Sequence, residues 1–524
     1  MSLKIQSSIL CYKRVLLNDG TMDTWCRLVP RSAAKLHVSR LWLLIVITAG
    51  LSFCLLWWFA VNDNYLLQGG EDETPLVYRR WINNDIMLDS EDETVTVVKV
   101  PLPSPTTKYI RRRRFRRSSN APTPRQTTSL YYNKHTIPLV FQQWSSSAKR
   151  TCSGRLIGYG NQFALFKNLV IDRTYCHCER LGGEPIDAVL NQEESAEYYT
   201  LDAGCFQLPC AAFRPYVFTY ETEHHLNEWM KAVKTGRDVA SIDAYQFDEF
   251  TIAVQRYEYV NLYHTMTDWY NAFLVMQFFG RSPRQTNILI FDSHPYGSLD
   301  PVWPQLFNAT FRLSALPLKT RFRRMVWNIV GYNSPMTIHP SPNPPLFEEF
   351  RSFFLSSFDV DSNRTVDCAN LSVLFIWRRN YVAHPRNPSG FVQRKIRNEV
   401  KLIQYVRKKI PNINARGVQI DAMPMQDQLR LVINADILVG VHGAGLAHAV
   451  FLPRGGGLLE LAPNSMWAGS EHFETIASWR QLVYLRWINN DILLDTESQG
   501  LLTVPPHVVT ASIRKIRMQM CSNS

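Results

Sequence analysis

The chain has 524 residues, of which 46% are hydrophobic and 12% aromatic, so it is neither wholly disordered nor fibrous. Its formal net charge is +12, but residues 1–135 hold 19 basic and 11 acidic side chains and so carry most of the excess. A nucleic-acid-binding protein would place its basic residues on the folded part, and we therefore expect no nucleic-acid partner. Only one stretch is long and apolar enough to span a bilayer, which excludes a polytopic transporter.

That stretch is residues 41–61, LWLLIVITAGLSFCLLWWFAV, which contains no charged side chain. It can cross the roughly 30 Å of hydrocarbon in a bilayer. The residues before it are rich in Lys and Arg, and none follows before Arg79, so the positive-inside rule places residues 1–40 in the cytosol. The alternative is a cleaved signal peptide, but the long basic lead and the bulky Trp57 and Trp58 favour an uncleaved signal anchor. The sequence thus predicts a single-pass type II membrane protein with a lumenal catalytic part.

Residues 62–135 have the composition of a stem, with an acidic run, Pro/Thr-rich stretches and an Arg-rich run at 111–117. Such a composition cannot bury a core and is typical of a linker. One segment, RWINNDI at 80–86, recurs at 486–492. The second copy is expected to begin as a strand, and the role of the repeat stays open.

From residue 136 onward, short apolar runs alternate with helical patterns, which predicts βαβ units and a parallel sheet. The expected strands include 287–292, 372–377, 437–441 and 458–461, and the expected helices include 393–408 and 424–434. A Pro-rich passage at 339–346 divides this region into two α/β domains, 136–345 and 346–524. The cleft between them is the expected site.

Three sequons agree with a lumenal location and predict N-glycosylation at Asn308, Asn363 and Asn370. Seven cysteines follow the membrane segment, and we expect disulfides among them with at least one thiol left over. Cys176-His177-Cys178 raises the alternative of a zinc site. Its one-residue spacing and the lack of a second ligand pair favour disulfides instead.

The strongest local signal is the turn HGAG at 442–445, between the expected strand at 437–441 and a helix expected from near Leu446. A glycine-containing turn before a helix exposes amides and the positive end of the helix dipole, which suits a diphosphate. The pattern is neither a dinucleotide fingerprint nor a P-loop, and an ordinary tight turn is the alternative. Two histidines six apart do not share a helix face, so hydrogen bonding is expected rather than metal binding. The candidate nucleotide-sugar-binding residues here are His442, Gly443, Ala444, Gly445, Leu446 and His448.

Arginines form a second signal, because Arg378 and Arg379 follow an expected strand and Arg394 comes soon after. Ligands gather at the carboxyl ends of strands in α/β folds, and guanidinium groups suit phosphate oxygens. The alternative is a solvated basic loop. A third signal is the pair His264 and Asp268, which share one helix face and can serve as a general base. A structural or capping pair is as common.

Three blocks, NLYHTMTDWY (261–270), VLFIWRRNYVAHPR (373–386) and VGVHGAGLAHAVFLP (439–453), together resemble glycosyltransferase family 61. Within the family the similarity is greatest to the branch of N-glycan β-1,2-xylosyltransferases. The family's usual Thr after the HGAGL sequence is Ala447 here.

The resemblance implies a GT-B-like architecture, in which two Rossmann-like domains face a cleft, and inverting transfer from a UDP-sugar. For the xylosyltransferase branch, the donor is UDP-xylose and the acceptor is the core mannose of N-glycosylated proteins. It implies no metal cofactor, although Asp359-Val360-Asp361 formally matches the metal motif of another glycosyltransferase fold. With the anchor, the stem and a C-terminus that lacks an ER-retention signal, we expect a Golgi membrane enzyme.

For the mechanism, we expect Asp268 to be the base, with His264 as second choice or orienting partner. The amides of the glycine turn and the three arginines would hold the diphosphate, and Glu460 would meet the ribose hydroxyls. Two alternatives stay open. One is a UDP-GlcNAc-dependent protein O-GlcNAc transferase of the same family. The other is a non-enzymatic glycan-binding membrane protein.

Overall fold

The structure is a computed structural model, and it describes residues 10–15, 22–27, 137–211, 225–337, 343–361, 363–463, 471–489, 495–496 and 500–522. The chain divides into two compact units, residues 1–113 and 114–524. In the first unit, the described residues form an antiparallel pair of strands, β1 (Leu10–Val15) and β2 (Met22–Arg27). The predicted membrane segment and stem lie outside the described residues. None of the described helices is both long and apolar enough to cross a membrane.

The described strands of the second unit are, in chain order, β3 (Ala148–Thr151), β4 (Leu156–Tyr159), β5 (Phe163–Asp172), β6 (Cys176–His177), β7 (Thr200–Leu201), β8 (Phe206–Leu208), β9 (Val233–Thr235), β10 (Tyr245–Phe247), β11 (Phe250–Val254), β12 (Thr286–Ile290), β13 (Ala309–Arg312), β14 (Lys319–Trp327), β15 (Leu371–Ile376), β16 (Lys395–Ile396), β17 (Ile413–Val418), β18 (Ile437–Val441), β19 (Gly457–Ala462), β20 (Val483–Ile488), β21 (Asp495–Thr496) and β22 (Leu501–Leu502). The helices are α1 (Leu139–Ser146), α2 (His225–Lys231), α3 (Leu262–Phe278), α4 (Trp303–Leu306), α5 (Phe347–Ser357), α6 (Glu399–Lys409), α7 (Met425–Ile433), α8 (His472–Arg480) and α9 (Pro506–Cys521).

The first sheet is mixed, with the strand path β13-β12-β11-β14-β5-β4-β3. The four strands β13, β12, β11 and β14 run parallel, whereas β5, β4 and β3 continue the sheet antiparallel. The prediction of parallel strands is therefore correct only for the later part of this sheet. The reason lies in the connections, because three or four residues join β3 to β4 and β4 to β5, and such short links connect only antiparallel neighbours.

The second sheet is fully parallel, with the order β17-β15-β18-β19-β20. Its central strands read as continuous apolar runs because helices cover both faces. Numbered along the chain, this order is 2-1-3-4-5, a doubly wound arrangement whose direction reverses between β15 and β18. The predicted helix at 424–434 is α7. The one predicted at 393–408 begins later, at Glu399, after the short strand β16.

A continuous apolar core joins the two sheets. Helix α5 packs between them, since the ring of Phe354 lies 5.3 Å from that of Trp269 on α3 and 5.0 Å from that of Phe451. Phe451 ends the short 3-10 helix that follows β18. The described part of the chain is thus a mixed α/β fold with parallel strands in both sheets, as the sequence predicts.

Disulfides join Cys152 to Cys210, Cys176 to Cys205 and Cys368 to Cys521, and Cys178 is a free thiol. This confirms the prediction of disulfides with a thiol left over. Because Cys176 is bonded to Cys205, the Cys-His-Cys segment is used for a crosslink rather than for zinc.

Candidate active site

The reversal point of the second sheet brings two predicted segments together. Arg378 follows β15 and Gly443 follows β18, and these strands are neighbours. A Cβ atom built on Gly443 would lie 2.2 Å from Nη1 of Arg378, so the guanidinium packs directly against the glycine backbone. Only glycine allows this approach. In doubly wound sheets, ligands bind at such a reversal point, outside the carboxyl ends of the strands.

A second guanidinium lies beside the first. Arg394 donates from Nη1 to the carbonyl of His442 at 2.8 Å and adopts a φ of +62°, which is uncommon for a residue with a side chain. Burial lowers the pKa of Arg394 to about 10, and the charge of Arg378 adds to this effect. Burial also lowers the pKa of Arg378. Two half-buried cations that destabilise one another are suited to bind an anion between them.

Arg379 differs from these two because its guanidinium is held in a surface ion pair, although the residue also borders the cavity between the two sheets. Its Nη2 donates to Glu399 at 2.7 Å, about half of its side chain is exposed, and the bond to Glu399 raises its pKa. The structure thus separates the three predicted arginines into two that face the glycine turn and one in a surface ion pair.

The turn continues into a 3-10 helix, Ala444–Phe451, rather than the predicted α-helix. The Leu446 amide donates to the carbonyl of Gly443 at 2.9 Å and its side chain is 1% exposed, so Leu446 belongs to the core. Ala444 and Gly445 are half-buried and line a cavity. His448 also borders this cavity, but its ring nitrogens lie 2.8 Å from the Gly445 carbonyl and 2.8 Å from the Gln428 side chain. Burial lowers the pKa of His448 to about 4, which keeps it neutral at pH 7.

His442 and Glu460 form a buried pair at the ends of β18 and β19. His442 Nδ1 lies 2.5 Å from Glu460 Oε1, and the hydroxyl of Tyr484 donates to Glu460 Oε2 at 2.5 Å. Arg486 Nη2 lies 3.4 Å from the same carboxylate. Glu460 is only 1% exposed. With these three partners, it orients the His442 ring, a contact that the sequence prediction of a ribose ligand did not anticipate.

His264 and Asp268 lie on α3, whose first turn is capped by Asn261, which accepts from the Tyr263 amide at 3.0 Å. Almost the whole of this helix is buried. Asp268 is 2% exposed, and burial raises its pKa well above the usual range, which favours the protonated carboxyl. His264 is half-buried among aromatic rings, and burial lowers its pKa below 6.5. Both residues are in the described part of the chain, where no hydrogen bond joins their side chains.

A cavity of about 120 Å³ lies between the two sheets. Val260 and Leu262 border it from the side of the first sheet, and Arg378, Tyr381 and Gly445 border it from the second. Residues from 136–345 and from 346–524 thus border the same cavity. Its volume is below the roughly 300–1,000 Å³ of typical ligand pockets, so a ligand of ordinary size would also occupy the adjoining surface.

Sequence reasoning missed a buried charge cluster at the carboxyl ends of β11 and β12. Arg256, 1% exposed, donates to both oxygens of Asp292, and Nδ1 of His294 lies 2.5 Å from a carboxylate oxygen of Glu197. One signal was available, because charged residues directly after two buried parallel strands are unusual outside functional sites. This cluster lies close enough to Asp268 for Arg256 and Asp292 to act on its pKa.

Glu258 was also missed, and it links the two halves of the second unit. Its carboxylate lies 3.4 Å from His384 Nε2 and 3.8 Å from Arg386 Nη2, both in the loop after β15. Burial would raise the pKa of Glu258, but the hydrogen bond and charge of His384, together with Arg386, lower it to about 2.

Asn308, Asn363 and Asn370 are all exposed. No group of three or more His, Cys, Asp or Glu side chains is placed to hold a metal ion among the residues that the structure describes.

An α/β fold that gathers cations at a sheet's reversal point is an arrangement found in enzymes that bind nucleotides. Residues 262–459, which include α3, the arginines and the glycine turn, match the family model of Glycosyltransferase 61. The match covers the central part of the chain, which carries the candidate site.

The sequence identity to individual relatives is below 30% in each of three examples. The chain is 28% identical over 343 residues to a β-1,2-xylosyltransferase of Oryza sativa subsp. japonica, covering 58% of this chain and 63% of that protein. It is 24% identical over 408 residues to the β-1,2-xylosyltransferase of Arabidopsis thaliana, covering 62% and 76%. It is also 26% identical over 255 residues to the EGF domain-specific O-linked N-acetylglucosamine transferase of Drosophila melanogaster, covering 44% of each. The chain thus matches less than two thirds of the length of the rice relative.

Proposed function

We propose that this protein is an inverting glycosyltransferase that moves xylose from UDP-xylose, in β-1,2 linkage, to the core mannose of N-glycans. The observation that carries the proposal is the convergence of Arg378 and Arg394 on the glycine turn at the reversal point of the second sheet. Two guanidinium groups there suit the two phosphates of a nucleotide diphosphate. The choice of xylose is supported by the relatives from rice and Arabidopsis.

The architecture that we propose is GT-B-like, with two Rossmann-like domains on the two sides of the cavity. The first sheet contributes its parallel strands β13, β12, β11 and β14, and the second contributes all five of its strands. Residues from the carboxyl ends of both sheets border one cavity. In this arrangement, the second sheet would bind the donor and the first would bind the acceptor.

In the reaction, the acceptor oxygen forms a bond to C1 of the sugar while the bond from C1 to the diphosphate oxygen breaks on the opposite face. The electron pair leaves with UDP, whose added charge would fall on Arg378, Arg394 and the turn that includes Ala444 and Gly445. The acceptor's proton passes to a base. His264 is the better candidate, because its lowered pKa keeps it neutral and able to accept a proton.

Asp268 remains the second candidate. Burial raises its pKa and so favours the protonated form, and a protonated carboxyl must lose its proton before it can serve as a base. A positioning role beneath Gly331, where a Cβ atom would lie 3.2 Å from its Oδ1, fits its burial better. Glu460 as a ribose ligand also stays a proposal, since His442, Tyr484 and Arg486 already surround its carboxylate.

We propose that no metal cofactor is needed, because two guanidinium groups can stabilise the leaving diphosphate. Asp359 and Asp361 would then have no catalytic role. Activity that persists in EDTA would support this, and full loss of activity with rescue by Mn²⁺ or Mg²⁺ would contradict it.

The partners and location follow from the same proposal. Residues 41–61 would anchor the protein as a single-pass type II protein of the Golgi membrane, with residues 62–135 as stem. The acceptors would be N-glycosylated proteins, and the protein itself would carry glycans at Asn308, Asn363 and Asn370.

Two other functions compete with this one. A UDP-GlcNAc-dependent O-transferase is supported by the relatives that act on EGF domains. A glycan-binding membrane protein without activity is the second, although its arginine and glycine site would then have no purpose.

A donor screen tests all three. The full-length protein, purified in detergent, is incubated with a core N-glycan or a folded EGF domain and each of several UDP-sugars. Transfer of xylose to the N-glycan supports the proposal, and transfer of GlcNAc to the EGF domain overturns it in favour of the first alternative. Glycan binding without transfer from any donor supports the second.

A further inference from the structure

An aromatic cluster lies beside the parallel strands of the first sheet. It consists of Tyr257, His264 and Tyr332, which we call the aromatic cradle. The ring centroids of Tyr257 and Tyr332 are 4.5 Å apart at an angle of 76°, and that of His264 lies 5.6 Å from Tyr332 and 6.4 Å from Tyr257. Tyr257 is 42% exposed, unusual for a large aromatic side chain in so buried a region.

The cradle lies where the strand order of the first sheet reverses. Along the chain, the parallel strands β11, β12, β13 and β14 are numbers 1 to 4, and their spatial order is 3-2-1-4. The order therefore reverses between β11 and β14. Tyr257 follows β11 and Tyr332 follows β14, so the cradle lies at the carboxyl ends of the two strands that flank this reversal. The first sheet thus has its own expected ligand position, separate from the one at Arg378 and Gly443.

The chemistry of the cradle differs from that of the arginine site. Its imidazole is neutral, since burial lowers the pKa of His264. The neighbouring carboxylate of Glu258 is balanced by His384 and Arg386. A ligand at this position therefore meets ring faces and compensated charges, which suits a neutral molecule with apolar faces and hydroxyl groups rather than an anion.

The chain segment that carries two of the cradle residues also borders the cavity. Val260 and Leu262, on the segment between Tyr257 and His264, border the cavity. Tyr381, which is 38% exposed, borders it from the second sheet, and Glu258 acts on the pKa of Tyr381, so the two lie close together. An oligosaccharide on the cradle would therefore extend toward a donor held at Arg378.

We propose that the aromatic cradle binds a pyranose ring of the acceptor oligosaccharide, with the exposed face of Tyr257 stacked on the sugar. This rests on the proposed function and adds a specific acceptor subsite to it. His264 would then border the acceptor hydroxyl, in the position that a base requires.

The test uses the full-length protein and three variants. Tyr257→Ala removes the ring, and Tyr257→Phe keeps it. Tyr245→Ala is the matched control, because Tyr245 is 58% exposed but lies on β10, which pairs with the first residues of β14, far from the carboxyl end of that strand. Acceptor and donor KM are measured for each, together with the melting temperature.

We expect Tyr257→Ala to raise the acceptor KM about tenfold, while Tyr257→Phe and Tyr245→Ala leave it within about twofold of the parent. The donor KM stays unchanged in all three. An unchanged acceptor KM in Tyr257→Ala, or equal changes in donor and acceptor KM, would overturn the proposal.

A direct titration separates this inference from the proposed reaction. A mannose-containing core N-glycan is added to the full-length protein in the presence of UDP, and binding is followed by calorimetry. If no UDP-sugar is a donor but the glycan still binds the parent and not Tyr257→Ala, the proposed acceptor subsite is supported and the proposed reaction is wrong. If transfer occurs and Tyr257→Ala binds the glycan as well as the parent does, the proposed reaction is supported and the proposed acceptor subsite is wrong. If the glycan does not bind the parent at all, the cradle is wrong.

Discussion

The imidazole Nδ1 of His442 and the carboxylate Oε1 of Glu460 lie 2.5 Å apart, and this bond connects the turn after β18 to the end of β19. A carboxylate on Nδ1 selects the tautomer in which Nε2 accepts a hydrogen bond. The main chain supports the same connection, since the His442 amide donates to the Leu461 carbonyl at 2.9 Å. Glu460 therefore positions the first residue of the turn that we propose to bind the diphosphate.

Replacing Glu460 tests this positioning role. Glu460→Gln should lower the affinity for UDP roughly 10- to 100-fold, because a hydrogen bond to a buried charged group contributes about 1.5–3 kcal/mol. Calorimetry with UDP measures the change. Glu474→Gln, a change of an exposed acid on α8, should have no effect. Wild-type affinity in Glu460→Gln would show that the pair is not needed for binding.

The arginines provide a matched pair of substitutions. Arg378→Lys removes the planar fork that packs on Gly443, and we expect UDP affinity to fall about tenfold or more. Arg379→Lys changes an exposed ion pair with Glu399, and such pairs contribute only about 0–1 kcal/mol, so affinity should hardly change. Equal losses in both variants would mean that Arg379 also contacts the donor.

The base can be identified from the pH dependence of turnover. His264 must be neutral to accept a proton, and its pKa is lowered from 6.5, so activity should fall only as the pH drops below that value. His264→Gln should lose about 10²–10⁴ in kcat, and the fall of its remaining activity at low pH, the acid limb of the pH profile, should disappear.

Asp268→Asn is the companion variant. If Asp268 only packs under Gly331, the variant keeps the acid limb and loses less activity than His264→Gln. A larger loss in Asp268→Asn, without the acid limb, would assign the base to Asp268 instead.

Glu258 should make stability depend on pH. Its pKa falls from 4.5 in the unfolded chain to about 2 in the folded protein, so it stabilises the fold above pH 4.5, and this contribution is lost as the pH falls toward 2. Glu258→Gln should therefore lower the free energy of unfolding by roughly 3 kcal/mol at pH 7, and the difference from the parent should vanish near pH 2. Denaturant unfolding at several pH values measures it. The exposed Glu179→Gln serves as control, and a difference that does not depend on pH would contradict the assignment.

The disulfide Cys368–Cys521 fastens the end of α9 to the segment before β15 across 153 residues of sequence. Replacing both cysteines by serine should lower the free energy of unfolding by about 2–5 kcal/mol, because a crosslink over a long loop restricts the unfolded chain. Cys178→Ser, which removes the free thiol, should cost much less. Equal stability of the double variant and the parent would show that packing alone holds α9.

The sequence by itself determined the elements that depend on local patterns. Apolar runs predicted three strands of the second sheet, β15, β18 and β19, almost to the residue, since burial on both faces leaves few polar positions in the pattern. Glycines between a strand and a helix marked the turn at 442–445, because such turns require residues without a side chain. The cysteines indicated crosslinks, although their pairing did not follow from spacing.

Only the tertiary structure decided which of the marked residues act together. The order of the strands placed Arg378 against Gly443 and turned Arg379 toward Glu399, although the two arginines are adjacent in sequence. Burial raises the pKa of Asp268, and packing places the carboxylate of Glu460 against His442. Both effects depend on elements far away in the chain. The contact of Glu258 with His384 joins residues 126 positions apart, and no local pattern encodes it. Periodicity reports what one element buries, whereas charge pairing across a cavity is set by how separate elements pack.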